Sequence, residues 1–421
     1  MQHEIDVTEI GPQGEAMASA VASCVHCGFC LPTCPTYLTM GEEENSPRGR
    51  IVLMKEVLEG RLTAEEVADP LDNCLGCQAC VTACPSGVEY GDLITAYRGY
   101  GEERRSRPAA ERAQRALVGA TLPRPGRFRA AARLGILTRG LARFAPKRLR
   151  PMLDLLPGSL PRKRSLPELI PAEGERRARV ALLAGCAQQV LDPEIGWATA
   201  RVLARNGVEV VVPAGQGCCG SLDMHAGRAR QAGRSARRTL AAFPDDVDAV
   251  VTNAAGCGSG MREYPLLLAG SEDEDRARAF AGRVVDVTAF LDELGLVDPP
   301  APERPLRVAY HDACHLAHAQ GVRDAPRRLL AAAGHEVVTP AEWEICCGSA
   351  GTYNIERPAT AAELGERKVA NILATGADVV AAGNIGCLTQ IANHMPANGD
   401  APAVVHTVEL LDRAYQGDRR G

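Results

Sequence analysis

Cys24–Pro35 reads CVHCGFCLPTCP, and Cys74–Pro85 reads CLGCQACVTACP. Both runs follow the spacing C-x2-C-x2-C-x3-C-P, which holds [4Fe–4S] cubanes, with the fourth Cys of a run serving the other cubane. Three thiolates two residues apart wrap one turn of chain around a single cubane and leave one iron corner open. The fourth Cys lies beyond that turn, so two such runs complete each other. The spacing assigns Cys24, Cys27, Cys30 and Cys84 to one cluster, and Cys34, Cys74, Cys77 and Cys80 to the second. Gly28 and Gly76 let the backbone pass close to the cages, and Pro35 and Pro85 turn the chain away after the last ligand. Zinc competes for C-x2-C pairs, but it takes two pairs across a longer loop and has no use for a third Cys two residues on. Adjacent clusters imply electron transfer and leave the oxidised substrate open.

Between the runs, Ile51, Met54 and Leu58, then Val67 and Leu71, recur at helical spacing. Ser46 followed by Pro47 is a cap and first-turn proline, a sound helix start. The insert is therefore helical, which favours an α-helical two-cluster ferredoxin domain over a small sheet-based one.

The 421-residue chain is 46% hydrophobic and 24% charged, a globular composition. Aromatic residues make up 4% and the formal net charge is -5, so a nucleic-acid partner is not expected. MQHEIDVTEIGPQGE lacks the basic start and apolar core of a secretory signal. The expected location is cytoplasmic, where thiols stay reduced, so the 16 cysteines point to metal and not to disulfides.

From Arg98 to Arg164 there are 18 Arg or Lys against 4 Asp or Glu. RLGILTRGLARF sets Leu134, Leu137, Leu141 and Phe144 on one helical face, with Arg139 and Arg143 off it. Such a segment suits either a strap over the protein's own acidic lobes, the favoured reading, or a peripheral contact with the inner face of the cell membrane.

The remaining cysteines belong to a duplicated unit. RVALLAGC, GCCGS and DAVVTNAAGC place Cys186, Cys218, Cys219 and Cys257. RVAYHDAC, CCGSA and ADVVAAGNIGC place Cys314, Cys346, Cys347 and Cys387, offset by 128, 128, 128 and 130 residues. Short apolar strands alternate with helix-like stretches in both copies, which predicts α/β units with largely parallel sheets. Open α/β sheets bind ligands beyond the carboxyl ends of their strands, so each quartet is expected to converge on its own crevice as a metal site, an iron–sulfur cluster or zinc. Buried structural thiols and vicinal disulfides are the competing readings. Of the nearby His225, His311, His315 and His318, only His315 is singled out, as an auxiliary ligand. The expected class is α+β and multidomain: a helical ferredoxin domain over 1–100, a basic Pro/Arg-rich helical linker over 101–175, and cysteine-rich α/β domains over 176–300 and 301–421.

With SCVHCGFCLPTCPTY, SPRGRIVLMKEVLEG, CLGCQACVTACPSGV, GCCGSLDMH, YHDACHLAHAQGV, CCGSAGTYNIERP and NIGC in hand, the chain resembles, essentially end to end, the iron–sulfur subunit of bacterial glycolate oxidase (glycolate dehydrogenase). Its two tandem units resemble the cysteine-rich (CCG) domain of heterodisulfide reductases, lactate-utilisation proteins and the anaerobic glycerol-3-phosphate dehydrogenase anchor subunit. The resemblance implies that FAD-bearing partner subunits convert glycolate to glyoxylate, while this chain relays electrons to a quinone or another membrane-associated acceptor. It assigns no catalytic residue here, and no GxGxxG opens a helix after a strand. The same role in a D-lactate or other 2-hydroxy-acid dehydrogenase complex, or a disulfide-reductase-type subunit, is the alternative. The fuller CCG domain carries a fifth thiol, and here Gly260 and Gln390 stand in its place.

Overall fold

The computed structural model describes residues 1–144, 146–297, 299, 302, 304–397 and 399–417. Helices alone, among the described residues, build the first hundred positions. Ser46 and Pro47 open the helix Pro47–Leu58: the Gly49 N–H donates to Ser46 Oγ at 3.0 Å, a cap worth about 1 kcal/mol. Ile51, Met54 and Leu58 are buried against Met17, Val21, Leu93 and Ile94. Val67 and Leu71 join that core, although only Ala68–Asp72 is helical between them.

The repeated half forms two parallel sheets of one design. In the first copy the strands are β1 (Leu169–Ile170), β2 (Ala178–Leu182), β3 (Val208–Val211), β4 (Ala249–Thr252) and β5 (Val284–Asp286), in the order β1-β3-β2-β4-β5. In the second, β6 (Arg307–His311), β7 (Glu336–Val338), β8 (Val379–Ala382) and β9 (Ala403–His406) run β7-β6-β8-β9. All pairings are parallel except β1 on β3. β1 comes from the end of the basic linker, an edge strand that the alternation of strands and helices does not announce. Central β4 and β8 are buried along their whole length, as helices on both faces of a parallel sheet require.

In this order the winding reverses between the parallel neighbours β2 and β4, and between β6 and β8. The strand that follows the first of each pair lies on one side of it and all later ones on the other. That switch point opens a crevice beyond the carboxyl ends of the strands. Cys186 and Cys257 follow β2 and β4; Cys314 and Cys387 follow β6 and β8. Topology therefore aims the quartets.

The copies pack face to face about a pseudo-two-fold axis. Helix Glu194–Arg205 of the first meets Thr407–Gln416 of the second, and Val287–Leu294 of the first meets Asp324–Ala332 of the second. The ion pairs repeat too. Arg201 Nε donates to Asp412 Oδ1 at 3.0 Å, and Arg328 Nε donates to Asp292 Oδ1 at 2.9 Å. Each Arg stands six residues before a left-handed glycine, Gly207 or Gly334. One apolar core runs through both sheets, from Val180 and Leu182 to Val308 and Tyr310.

The basic segment is a strap. Arg105 and Arg107 pair with Asp72 of the N-terminal domain, Arg129 donates to the Gln189 carbonyl of the first copy, and Arg115 pairs with Glu356 of the second. The single amphipathic helix expected over RLGILTRGLARF does not form. The helix Pro125–Thr138 gives way to a 3-10 turn over Arg139–Phe144, where Arg139 donates to the carbonyls of Leu153, Leu156 and Pro157. Its buried side is Phe128, Ala132 and Gly135, while Leu134, Leu137 and Phe144 are exposed. The Leu141 side chain lies outside the described residues.

Candidate functional site

Two separate cavities lie in the N-terminal domain. Cys24, Cys27, Cys30 and Cys84 line the outer one; Cys34, Cys74, Cys77 and Cys80 line the inner one. Cys80, Pro47 and Tyr90 border both, so the two are one side chain apart. Cys27 is exposed and Val25 and Phe29 stand 66% and 64% free, so the outer cavity opens at the surface, whereas all four inner thiols are buried.

Each run wraps its cavity with alternate left-handed residues: His26 (φ 56°) and Gly28 (φ 87°) in the first, Gly76 (φ 65°) and Gln78 (φ 61°) in the second. Such alternation turns successive N–H groups inward, a concavity suited to anions. Gly76 N–H accordingly points at Cys74 Sγ (3.3 Å) and Val88 N–H at Cys84 Sγ (3.5 Å). His26 and Gln78 hold a conformation that costs a non-glycine residue about 1–3 kcal/mol, which only a constrained loop sustains.

Arg50 is 1% exposed, and among the described residues no carboxylate pairs with it. Its guanidinium donates to Pro70 O (2.6 Å), Thr36 Oγ1 (2.9 Å) and Cys34 Sγ (3.9 Å). Burial pushes the Cys74 thiol up, but the charges of Arg50 and Arg98 with the Gly76 N–H hold it below the usual thiol range. An unpaired buried cation is costly, and an anionic cage of thiolates is the counter-charge within reach. All-thiolate donors and inward N–H groups fit a [4Fe–4S] cluster in each cavity, and the inner cavity has this cation as well.

The second quartet touches the inner cage. Cys314 and Cys346 pack with Cys77 and Leu75, and Cys74 borders both the inner cage and a larger cavity of about 360 Å³. All eight cysteines of the repeated half line that cavity, so the two crevices expected from the sequence merge into one. The strap roofs it with Leu122, Phe128, Ala132 and Leu156. Within the quartets, Cys186 and Cys218 sulfurs are 3.6 Å apart, and Cys314 and Cys346 sulfurs 4.0 Å. Cys219 accepts from Cys218 and Cys257, and Cys347 from Cys346 and Cys387. These bonds hold Cys219 and Cys347 well below the usual range, while Cys218, Cys257, Cys346 and Cys387 are pushed up.

His315 is not a free ligand. Its Nε2–H donates to Gly76 O at 3.1 Å and its Nδ1 accepts from Ser259 Oγ at 2.5 Å; burial pushes the imidazolium pKa down to about 4. His318 does the same between Glu344 O (3.1 Å) and Thr82 Oγ1 (2.6 Å). The two histidines rivet the inner cage to the repeated half. The fifth-thiol positions are filled otherwise. A side chain on Gly260 would meet Ser221 Oγ at 1.9 Å, and Gln390 is bonded to Ala361 O and Asn354 (both 3.0 Å).

Comparison with known proteins agrees with this division. The 4Fe-4S dicluster domain matches residues 20–88, and the cysteine-rich domain matches residues 180–262 and 308–392. A probable glycolate oxidase iron–sulfur subunit of Bacillus subtilis (strain 168) is 36% identical over 412 residues, 92% of this chain and 93% of its own length. The glycolate oxidase iron–sulfur subunit of Escherichia coli (strain K12) is 34% identical, over 94% of this chain and 95% of its own. The chain belongs to this family. Glycolate oxidase iron–sulfur subunits are electron-transfer components of an oxidoreductase complex. Lactate utilization protein A of Oceanobacillus iheyensis, 33% identical, covers 57% of this chain and 98% of its own length. No helix among the described residues is long and apolar enough to cross a membrane.

Proposed function

We propose that this chain relays electrons, one at a time, from FAD-bearing partner subunits that oxidise glycolate to glyoxylate toward a quinone-type acceptor. The observation that carries the reading is the continuous series of thiol sites: a surface cavity, a buried cage one side chain away, and a thiol-lined chamber sharing Cys74 with that cage. Glycolate loses two electrons and two protons on becoming glyoxylate, whereas a [4Fe–4S] cluster supplies a one-electron carrier, so a two-electron cofactor such as flavin must stand upstream. In this reading Cys24, Cys27, Cys30 and Cys84 hold the outer cluster, and Cys34, Cys74, Cys77 and Cys80 the inner one. The eight cysteines of the repeated half bind further metal at the end of the relay. The chain's own residues fix the cages, balance their charge through Arg50, and exclude water from the inner one.

The test is the complex purified anaerobically through this chain. Flavoprotein subunits in the eluate, glycolate-dependent quinone reduction, and EPR signals from two reduced clusters are expected. Cys77→Ser should lower quinone reduction about 100-fold or more, on the order of 3 kcal/mol by the tenfold-per-1.4 kcal/mol rule, with partner binding kept. Wild-type turnover in that variant would refute the relay. The lactate utilization relatives favour a second substrate reading, lactate, which the same complex decides by its turnover on glycolate and on each lactate enantiomer.

A further inference from the structure

The two halves repeat every thiol, but not every neighbour. His311 stands three residues before Cys314, and the matching position before Cys186 is Leu183. His311 is 2% exposed, its Nε2 has no partner at ordinary hydrogen-bond geometry, and the ring faces the Cys347 thiol, which, after Cys346 and Cys387, it helps to hold below the usual range. A buried ring nitrogen left without a partner is costly unless something binds it. One ring nitrogen of His311 and the sulfurs of Cys347 and Cys387 lie within 4.8 Å of one another.

From this asymmetry we propose that the second half binds a single zinc ion through His311, Cys347 and Cys387, while the first half keeps an all-thiolate site. The proposal rests on the metal-binding reading of the quartets and gives one of them its metal. Imidazole with thiolate is a donor set typical of zinc. Tetrahedral zinc, with bonds of about 2.0–2.3 Å, sets its ligands roughly 3.5–3.8 Å apart. Closing the trio therefore takes movements of about 1 Å. Cys346, adjacent in sequence to Cys347 and 4.0 Å from Cys314 by sulfur, puts two thiols beside the trio, and one of them completes the tetrahedron. In the first half Leu183 supplies no donor, and His225, whose buried Nε2 also lacks a partner and lines the chamber, forms no such close trio with the thiols among the described residues.

The test is metal analysis and zinc-edge X-ray absorption on the anaerobically purified full chain. About one zinc per chain is expected, with one nitrogen and three sulfur neighbours. His311→Leu, which copies the first half, should lower zinc occupancy tenfold or more and leave iron unchanged. Should that variant fail to fold, His311→Cys decides: the proposal requires that zinc stay and its neighbours become four sulfurs. Absence of zinc from the wild type, undiminished zinc in His311→Leu, iron lost along with it, or an unaltered zinc environment in His311→Cys would overturn the proposal. Failure of the relay reading looks different: the wild-type chain would then lack iron.

Discussion

A buried guanidinium is the residue on which the inner cage turns. Arg50 lies on the buried stripe of its helix with Met54 and Leu58, where an apolar side chain would ordinarily stand. That anomaly was legible in SPRGRIVLMKEVLEG as a charge among apolar positions, yet periodicity alone assigns it no partner. Its partners come from Pro70, Thr36 and Cys34, brought together only by folding. Removing the positive charge makes adding an electron next to it harder. Arg50→Met should therefore lower the reduction potential of the inner cluster by about 60 mV or more, tenfold in a one-electron equilibrium. An EPR-monitored redox titration measures it, with the outer cluster as internal control. The grouping of the eight N-terminal cysteines around two cavities needed no such context, because thiol spacing is local.

At the level of elements, the inner strands were readable from alternation and duplication, but edge strand β1, the strand order and the buried face of the strap were not. Its helix Pro125–Thr138 turns its smaller residues inward, since a side chain on Gly135 would meet Leu156 Cδ1 at 2.6 Å. Close approach by Leu156 selects the small face and leaves Leu134 and Leu137 exposed. Glycine does similar work where helix Ala255–Arg262 crosses Ser221–His225, with Gly260 against Ser221. Gly260→Ala should destabilise the chain by about 1–3 kcal/mol through overpacking. Ser221→Gly in the same chain should restore most of that, as contacting pairs couple. Denaturant melts of the two single variants and the double variant measure the coupling.

For the whole molecule, the repeat foretold two like domains, but not that they would face one another and share a chamber. That arrangement depends on reciprocal contacts, Arg201 with Asp412 and Arg328 with Asp292, which join residues far apart in the chain. The N-terminal domain is fastened to the first copy through Glu263, which accepts from Thr95 Oγ1 (3.2 Å) and Gln78 Nε2 (3.5 Å). Burial and then the charge of Asp92 push its carboxyl up to about 8, against the pull of Thr95, Gln78 and Arg98. The folded chain thus holds a proton there that the unfolded chain releases near the ordinary value of 4.5. Its contribution is complete below that value and lost as pH rises to about 8, at up to about 1.4 kcal/mol per pH unit. Glu263→Gln keeps an uncharged group there and should flatten the fall in stability across that window, read as melting temperature against pH.

The exposed Cys27 loop has a consequence for handling in air. Oxygen reaches the outermost sulfur first, and oxidation of thiols follows accessibility. Corrosion would begin at the terminal while the sheltered interior stays intact. A sample could then keep most of its brown colour and yet be an open circuit.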